Sequence, residues 1–176
     1  MSVSAELYLN NLSGKFAEVL FLKEDLLEID NSNLKKLTDN SSFSGKGGEL
    51  EYFSFIEEDK IHNYILAGLG KEEKVNLETY KKAVAKVIKE GEKRKLDYLI
   101  IDIKDISVFP DDYIKTRIIA ETAILSGYKF NKYKTENKEK EDKDLKVLIK
   151  NGVEEALLEG KILGESTLIS DRKSTR

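Results

Sequence analysis

Residues 68–71, which read GLGK, contain the residue types with which proteins hold phosphate groups. Backbone amides of a glycine-rich turn after a strand can bind an anion together with a lysine. A phosphate loop needs a longer glycine spacing and Ser or Thr after the lysine, whereas Glu72 follows Lys71 here. Glycines at a strand-to-helix turn usually serve chain geometry, so we predict a geometric role for Gly68 and Gly70, and a flexible loop for residues 45–48.

Imidazole and carboxylate groups are the other candidates for catalysis or metal binding. His62 is the only histidine, which excludes a site built from several imidazoles, and a lone histidine at a strand start is most often packed or exposed. Asp97, Asp102 and Asp105 surround the most apolar run, and functional groups of α/β proteins gather at strand ends. A metal needs several converging ligands. We predict that Asp97 and Asp105 cap or flank elements, and that Asp102 has a polar partner if it is buried.

Three aromatic residues, Tyr128, Phe130 and Tyr133, alternate with lysines in a pattern that can stack nucleic-acid bases. The formal net charge of the chain is -3, so no strong field attracts nucleic acid or an anionic membrane. We therefore predict aromatic packing with lysines at the rim, and neither kind of partner. Cysteine is absent, which excludes disulfides and thiolate sites.

Length and composition favour one compact domain. The chain has 176 residues, of which 40% are hydrophobic, and no repeat is visible. No apolar run approaches the 18 or so residues that span a bilayer, and the first residues lack the pattern of a secretion signal. We expect a cytoplasmic protein.

Hydrophobic periodicity predicts the elements that position these residues. Apolar runs predict strands at 3–9, 16–22, 49–56, 62–69, 96–103 and 145–149. Stripes at helical spacing predict helices at 32–38, 76–91, 113–127 and 153–169. Helices alternating with strands predict an α/β fold, in which a mixed central sheet is flanked by helices.

The helix at 113–127 is predicted to bury an apolar stripe and to leave Lys115, Arg117 and Glu121 in water. We expect it to begin near Pro110 and to end at Gly127, which suits the turn that closes helices. Residues 135–144 contain no apolar side chain and are predicted to be a solvated loop. Residues 170–176 have nothing to pack.

The same region carries a resemblance to a known family. Ala120-Glu121, the Ala-Ile-Leu run at 123–125, Gly127-Tyr128, Phe130 and Tyr133-Lys134 resemble the AEGALLGAYRFDRYK type of segment in the amino-terminal domain of the cytosolic leucyl aminopeptidase family (peptidase family M17). The neighbouring segments agree in order. A Leu-Gly-Lys strand end precedes a helix, an LKVLI strand follows the charged loop, and Glu159-Gly160 lies in the last helix.

The resemblance implies a macro-domain-like three-layer fold for residues 1–169, with residues 170–176 a tail that is disordered or not native. It implies a metal-dependent peptidase as the parent, with two divalent ions, zinc or manganese, in a carboxy-terminal catalytic domain that this sequence lacks. None of the family's catalytic, cofactor-binding or metal-binding residues is carried onto this chain, and we expect the chain alone to be inactive. In the family this domain supports assembly of a homo-hexamer and access of peptides to the active site.

A different class of function stays open beside this one. Macro-type folds often bind ADP-ribose-like ligands at loops after strand ends, which here would recruit residues 68–70 and 102–105. The alternative prediction is therefore a small-ligand binding module.

Overall fold

The computed structural model describes residues 2–105, 111–132 and 144–174 of the chain. Along these residues the strands and helices are β1 (Val3–Leu7), β2 (Phe16–Lys23), α1 (Ser32–Asp39), β3 (Leu50–Glu57), β4 (Lys60–Gly70), α2 (Leu77–Lys93), β5 (Tyr98–Asp102), α3 (Asp112–Lys132), β6 (Leu145–Lys150) and α4 (Glu154–Ser174). Short 3₁₀ turns at Glu72–Lys74 and Ile103–Asp105 follow β4 and β5.

The strands form one six-stranded sheet in the order β1-β6-β5-β2-β4-β3. All neighbours pair parallel except β3 and β4, which form an antiparallel hairpin. The positive φ angles of Glu58 (48°) and Asp59 (59°) form the turn of this hairpin. The predicted mixed sheet is confirmed, because helical crossovers make the parallel part and a tight turn makes the antiparallel part.

Two apolar cores lie on opposite faces of the sheet, which gives three layers. The larger core joins the sheet to α2 and α3, and α4 packs outside against α3 and β1. The smaller core contains Leu34 of α1 together with Leu22, Phe43, Tyr64 and Leu66. Burial of both sheet faces explains why β5 reads as a continuous apolar run, since Leu99, Ile100 and Ile101 are all buried. The predicted three-layer α/β fold is confirmed.

Side-chain caps fix where three helices begin. The side-chain oxygen of Asn31 accepts hydrogen bonds from the amides of Asn33 and Leu34, and that of Asn76 accepts from Thr79 at 2.9 Å. Asp111 accepts from the amide of Tyr113 at 2.9 Å at the start of α3. Each cap satisfies amides that have no partner within the helix. Pro110, predicted to begin this helix, lies outside the described residues.

The predicted end of α3 at Gly127 is wrong, because the helix continues to Lys132. A Cβ at Gly127 would lie 2.9 Å from the amide nitrogen of Val3, so this glycine allows close approach of β1 instead of closing the helix. The predicted exposure of two polar side chains is wrong as well. Lys115 is buried, with Nζ donating to the Ile103 carbonyl and to Asp112 at 3.0 Å each. The side chain of Glu121 is only 16% exposed and pairs with Lys81 at 3.4 Å.

Helix α4 extends to Ser174, five residues beyond the predicted end. Residues 170–174, predicted to have nothing to pack, are therefore helical. The Arg172 guanidinium lies 5.1 Å from the ring centroid of Tyr128 on α3, a cation–π contact that the local composition did not indicate. Residues 175–176 of the predicted tail and 135–143 of the predicted solvated loop lie outside the described residues. None of the described helices combines the length and the apolar character of a membrane span.

Candidate functional site

The glycines at the end of β4 pair with the chain's own backbone. The amide of Gly70 donates to the Gly45 carbonyl at 2.9 Å, and the amide of Gly48 donates to the Gly68 carbonyl at 3.2 Å. A Cβ at Gly68 would collide with the carbonyl oxygen of Lys46. The glycines therefore allow two backbones to approach closely, and the predicted geometric role of residues 68–70 is confirmed.

Glu49 holds the glycine-rich loop in place, a role that the sequence did not indicate. Its carboxylate accepts hydrogen bonds from the amide of Ser44 at 2.9 Å, from the Ser44 hydroxyl at 3.1 Å and from the amide of Lys46 at 3.1 Å. Burial acts to raise the pKa of Glu49, but the hydrogen bonds from Ser44 and Lys46 outweigh it, and the pKa lies below its usual value. In the sequence, this role is marked only by the position of an acidic residue directly after the glycine-rich loop.

The acidic residues around β5 are not brought together. Asp97 precedes the strand and Asp102 is its last residue, so the two lie roughly 16 Å apart along it. Asp97 accepts from the amide of Lys15 at 2.7 Å, which confirms its predicted flanking role. Asp102 is partly buried, so the condition of its prediction is not met, and it accepts from the amide of Lys104 at 3.0 Å and from Asn151 Nδ2 at 2.8 Å. The side chain of Asp105 lies outside the described residues.

His62 and Tyr128 are packing residues, as predicted. The imidazole of His62 stacks on Phe55, with ring centroids 5.7 Å apart and an interplanar angle of 16°. Tyr128 lies under the Arg172 guanidinium. The side chain of Phe130 and the whole of Tyr133 lie outside the described residues, so the aromatic and lysine pattern is tested at Tyr128 alone.

A polar cluster joins α3 to α4. The hydroxyl of Tyr113 donates to Glu159 at 2.5 Å, and Nη1 of Arg117 lies 3.8 Å from the same carboxylate. The hydrogen bond to Glu159 raises the pKa of Tyr113, with burial and the charge of Glu159 acting in the same direction. Backbones also approach closely here, since a Cβ at Gly160 would collide with the Arg117 carbonyl oxygen and lie 2.8 Å from Ala120 Cβ.

Comparison with known proteins assigns the fold to a family. Residues 12–137 match the model of the cytosol aminopeptidase family, N-terminal domain, which is more than half of the chain. The chain belongs to this family. The match contains α3, on which the resemblance seen in the sequence rests.

Curated relatives of this cytosol aminopeptidase domain carry the family in their names. The probable cytosol aminopeptidase of Aquifex aeolicus (strain VF5) is 30% identical over 159 residues, which cover 87% of this chain and 32% of that protein. The probable cytosol aminopeptidase of Persephonella marina (strain DSM 14350 / EX-H1) is 30% identical over 149 residues, or 81% of this chain and 30% of that protein. The chain thus spans about a third of the length of the curated relatives it matches.

Solved structures share the fold at low identity. The bottromycin maturation enzyme BotP superimposes with a TM-score of 0.63 at 16% identity, over 88% of this chain and 31% of that one. A mutant of tomato leucine aminopeptidase superimposes with a TM-score of 0.61 at 12% identity, over 93% of this chain and 35% of that one. Identities this low show the fold alone, and that fold agrees with the predicted one.

The described carboxylates and the histidine of this cytosol aminopeptidase domain do not form a metal site. Among residues 2–105, 111–132 and 144–174, no group of three or more His, Asp and Glu side chains is arranged to hold a metal ion. Asp97 and Asp102 point to the same result, because each accepts hydrogen bonds from the chain itself. We assign no step of metal chemistry to the described residues.

Proposed function

We propose that this chain is the non-catalytic N-terminal domain of a metal-dependent leucyl aminopeptidase that removes N-terminal residues from peptides. The observation that carries the proposal is the match of residues 12–137 to the N-terminal domain of the cytosol aminopeptidase family. The relatives are about three times as long as the matched segment, which leaves room for a separate catalytic part. We assign residues 1–169 to this domain.

The remaining features of the parent enzyme belong to the same proposal. Its partners are its own C-terminal catalytic domain, further copies in a homo-hexamer, and peptide substrates, with no nucleic acid and no membrane. We place it in the cytoplasm. Two divalent metal ions, zinc or manganese, supply Lewis-acid chemistry for peptide hydrolysis in the catalytic domain. The domain described here contributes to assembly and to active-site access, and has no peptidase activity by itself.

A leucine p-nitroanilide assay tests whether this chain lacks peptidase activity by itself. The purified 176-residue chain, with and without added Mn²⁺ or Zn²⁺, is expected to release no nitroaniline. The matched comparison fuses this chain to the part of the Aquifex aeolicus relative that follows the aligned segment, and measures that part alone as well. We expect the fusion to be active and to form a larger assembly by light scattering than the unfused catalytic part. Metal-dependent turnover by the chain alone, or equal assembly without it, would overturn the proposal.

The ADP-ribose-like alternative predicts a free ligand site at residues 68–70 and 102–105. The backbone around Gly68 and Gly70 instead pairs with residues 45–49, and Asp102 accepts bonds from Lys104 and Asn151. These contacts support the scaffold function. Calorimetric titration with ADP-ribose separates the two, and saturable heat at micromolar ligand would favour the binding module.

A further inference from the structure

The turn between β6 and α4 contains Asn151 and Gly152, the one Asn-Gly pair in the sequence. Asn151 is exposed, and its φ angle of 58° lies in the left-handed region, which asparagine tolerates better than most residues. A Cβ at Gly152 would lie 2.8 Å from Ile149 Cγ2 and 2.9 Å from Leu7 Cδ2. A larger residue would crowd both side chains, so the fold favours glycine directly after this asparagine.

An asparagine that precedes glycine can lose its side-chain amide by reaction with its own backbone. The glycine nitrogen gives up its proton and attacks Cγ of the asparagine, so that an N–Cγ bond closes a succinimide ring. The Cγ–Nδ2 bond breaks, and the amide leaves with that proton as ammonia. Water then adds to either ring carbonyl and opens the ring to aspartate or isoaspartate. Asparagine and water thus give an acidic residue and ammonia, with no oxidant or reductant.

The folded turn holds the reacting atoms of Asn151 and Gly152 apart. In the left-handed region ψ is about +47°, which turns the nitrogen of the next residue away from the asparagine Cβ, whereas ring closure needs the two on the same side. Asn151 Nδ2 also donates to Asp102 Oδ1 at 2.8 Å, which fixes the side chain. The negative charge of Asp102 further opposes loss of the proton from the Gly152 amide.

We propose that Asn151 is a deamidation site that the folded turn keeps unreactive, and that it reacts when the joint between β6 and α4 opens. Opening releases both restraints, because the backbone leaves the left-handed region and the bond to Asp102 breaks. Turns at a protein surface open locally at a lower free energy than the whole domain unfolds. Glycine at position 152 then offers no side chain to hinder the attack.

The product is expected to keep the joint from closing as tightly as before. An aspartate at position 151 has no side-chain donor for Asp102, and it places a second carboxylate where a hydrogen bond of 2.8 Å was. Isoaspartate also lengthens the backbone of the turn. The modification is therefore a one-way change at the start of α4. Peptidase activity has no part in this chemistry, so failure of the inference would leave the proposed function as it stands.

Peptide mapping by mass spectrometry of the 176-residue chain tests the restraint. Samples are incubated at neutral pH in buffer and in guanidinium chloride that unfolds the chain. We expect Asn151 to convert at least about tenfold faster in the denaturant, since only the open fraction reacts in buffer. Asn11 is the internal control, because it is exposed with a φ of 68° but precedes Leu12, and we expect no conversion there. Equal rates at Asn151 in the two solvents, or no conversion in either, would overturn the proposal.

Removal of the Asp102 carboxylate tests its part in the restraint. Asp102→Ala is expected to speed conversion of Asn151 several-fold in buffer and to leave the rate in denaturant unchanged. Asp97→Ala is the matched control, because it removes a carboxylate that accepts a backbone amide bond before the other end of β5. An equal acceleration by both variants would mean that general loss of stability, and not the contact with Asp102, sets the rate.

The aspartate product can be made directly as Asn151→Asp. Its urea midpoint is expected to be lower than that of the parent chain, while Asn11→Asp, the same change at the other left-handed asparagine, is expected to shift the midpoint less. Asp102→Asn combined with Asn151→Asp again pairs one amide with one carboxylate, and an asparagine at 102 still has an oxygen for the Lys104 amide. We expect the double variant to recover most of the lost midpoint. A double variant no more stable than Asn151→Asp would show that the two carboxylates do not meet in the product.

Discussion

Helices α2 and α4 present their outward positions with the same spacing but opposite chemistry. On α2, positions at steps of four, three and four residues hold Lys82, Lys86, Lys89 and Lys93, all of them exposed. On α4 the same steps hold Leu158, Ile162, Glu165 and Ile169. The outer side of α2 consists of solvated lysines, whereas the outer side of α4 exposes apolar side chains to water. We infer that α2 stabilises the domain and that the outer side of α4 adds little to this stability.

The inward sides of the two helices also differ, in the size of the side chains that they bury. Helix α2 places Tyr80, Val84, Val87 and Ile88, all fully buried, against the sheet. Helix α4 meets α3 with small residues and a polar contact, Tyr113 to Glu159. Large apolar side chains stabilise α2 by the area they remove from water, whereas α4 depends on the close approach of two backbones.

The largest expected effect is the loss of apolar packing under α2. Ile88→Ala removes a fully buried side chain from the main core and is expected to lower the free energy of unfolding by about 2–5 kcal/mol. The matched change on α4, Ile162→Ala, removes an exposed one and is expected to change it by no more than about 0.5 kcal/mol. Urea denaturation measures both. Equal losses would mean that the outer side of α4 contributes as much to the free energy of unfolding as the buried side of α2.

A second pair of variants compares how closely each helix packs. Gly160→Ala sets a Cβ against the Arg117 carbonyl oxygen, a backbone atom that cannot yield, and is expected to cost about 1–3 kcal/mol. Gly91→Ala on α2 meets Leu99 Cδ1 at 2.9 Å and Leu145 Cδ2 at 3.2 Å, which are the ends of flexible side chains. The gain in helix propensity, about 1 kcal/mol, offsets much of that strain.

Thermal and urea unfolding of the two glycine variants give the comparison directly. We expect Gly160→Ala to have a measurably lower free energy of unfolding than Gly91→Ala. A larger loss for Gly91→Ala would show that the joint between α3 and α4 can open at little cost.

The sequence predicted the strands well because their signal is local. Apolar runs placed the ends of all six strands within two residues of the observed ends. The predicted packing of His62 and the predicted flanking role of Asp97 are also confirmed. An isolated polar residue more often packs or caps an element than it takes part in catalysis.

The errors have one physical cause, which is contact between segments distant in the chain. Gly127 was interpreted as a helix end because its neighbour Val3 is 124 residues away in sequence. Lys115 was predicted in water because the carbonyl it caps belongs to the turn after β5. The contact of Arg172 with Tyr128 escaped notice for the same reason.

The smallest expected effect concerns pH and the hydrogen bond from Tyr113 on α3 to Glu159 on α4. The Tyr113 hydroxyl donates to Glu159, which raises the pKa of Tyr113 in the folded state above its unfolded value of about 10. Stability from a raised pKa is fully present below the unfolded value and is lost as pH rises through the folded one. Tyr113→Phe is therefore expected to be less stable than the parent chain between pH 7 and 9, and the difference should shrink above pH 10.

Glu159→Gln is the control, because a neutral amide still accepts the bond and should weaken the pH dependence of the Tyr113→Phe difference. Urea titrations at several pH values decide the matter: a difference between parent and Tyr113→Phe that stays constant to pH 11 would mean that this bond does not link α4 to α3.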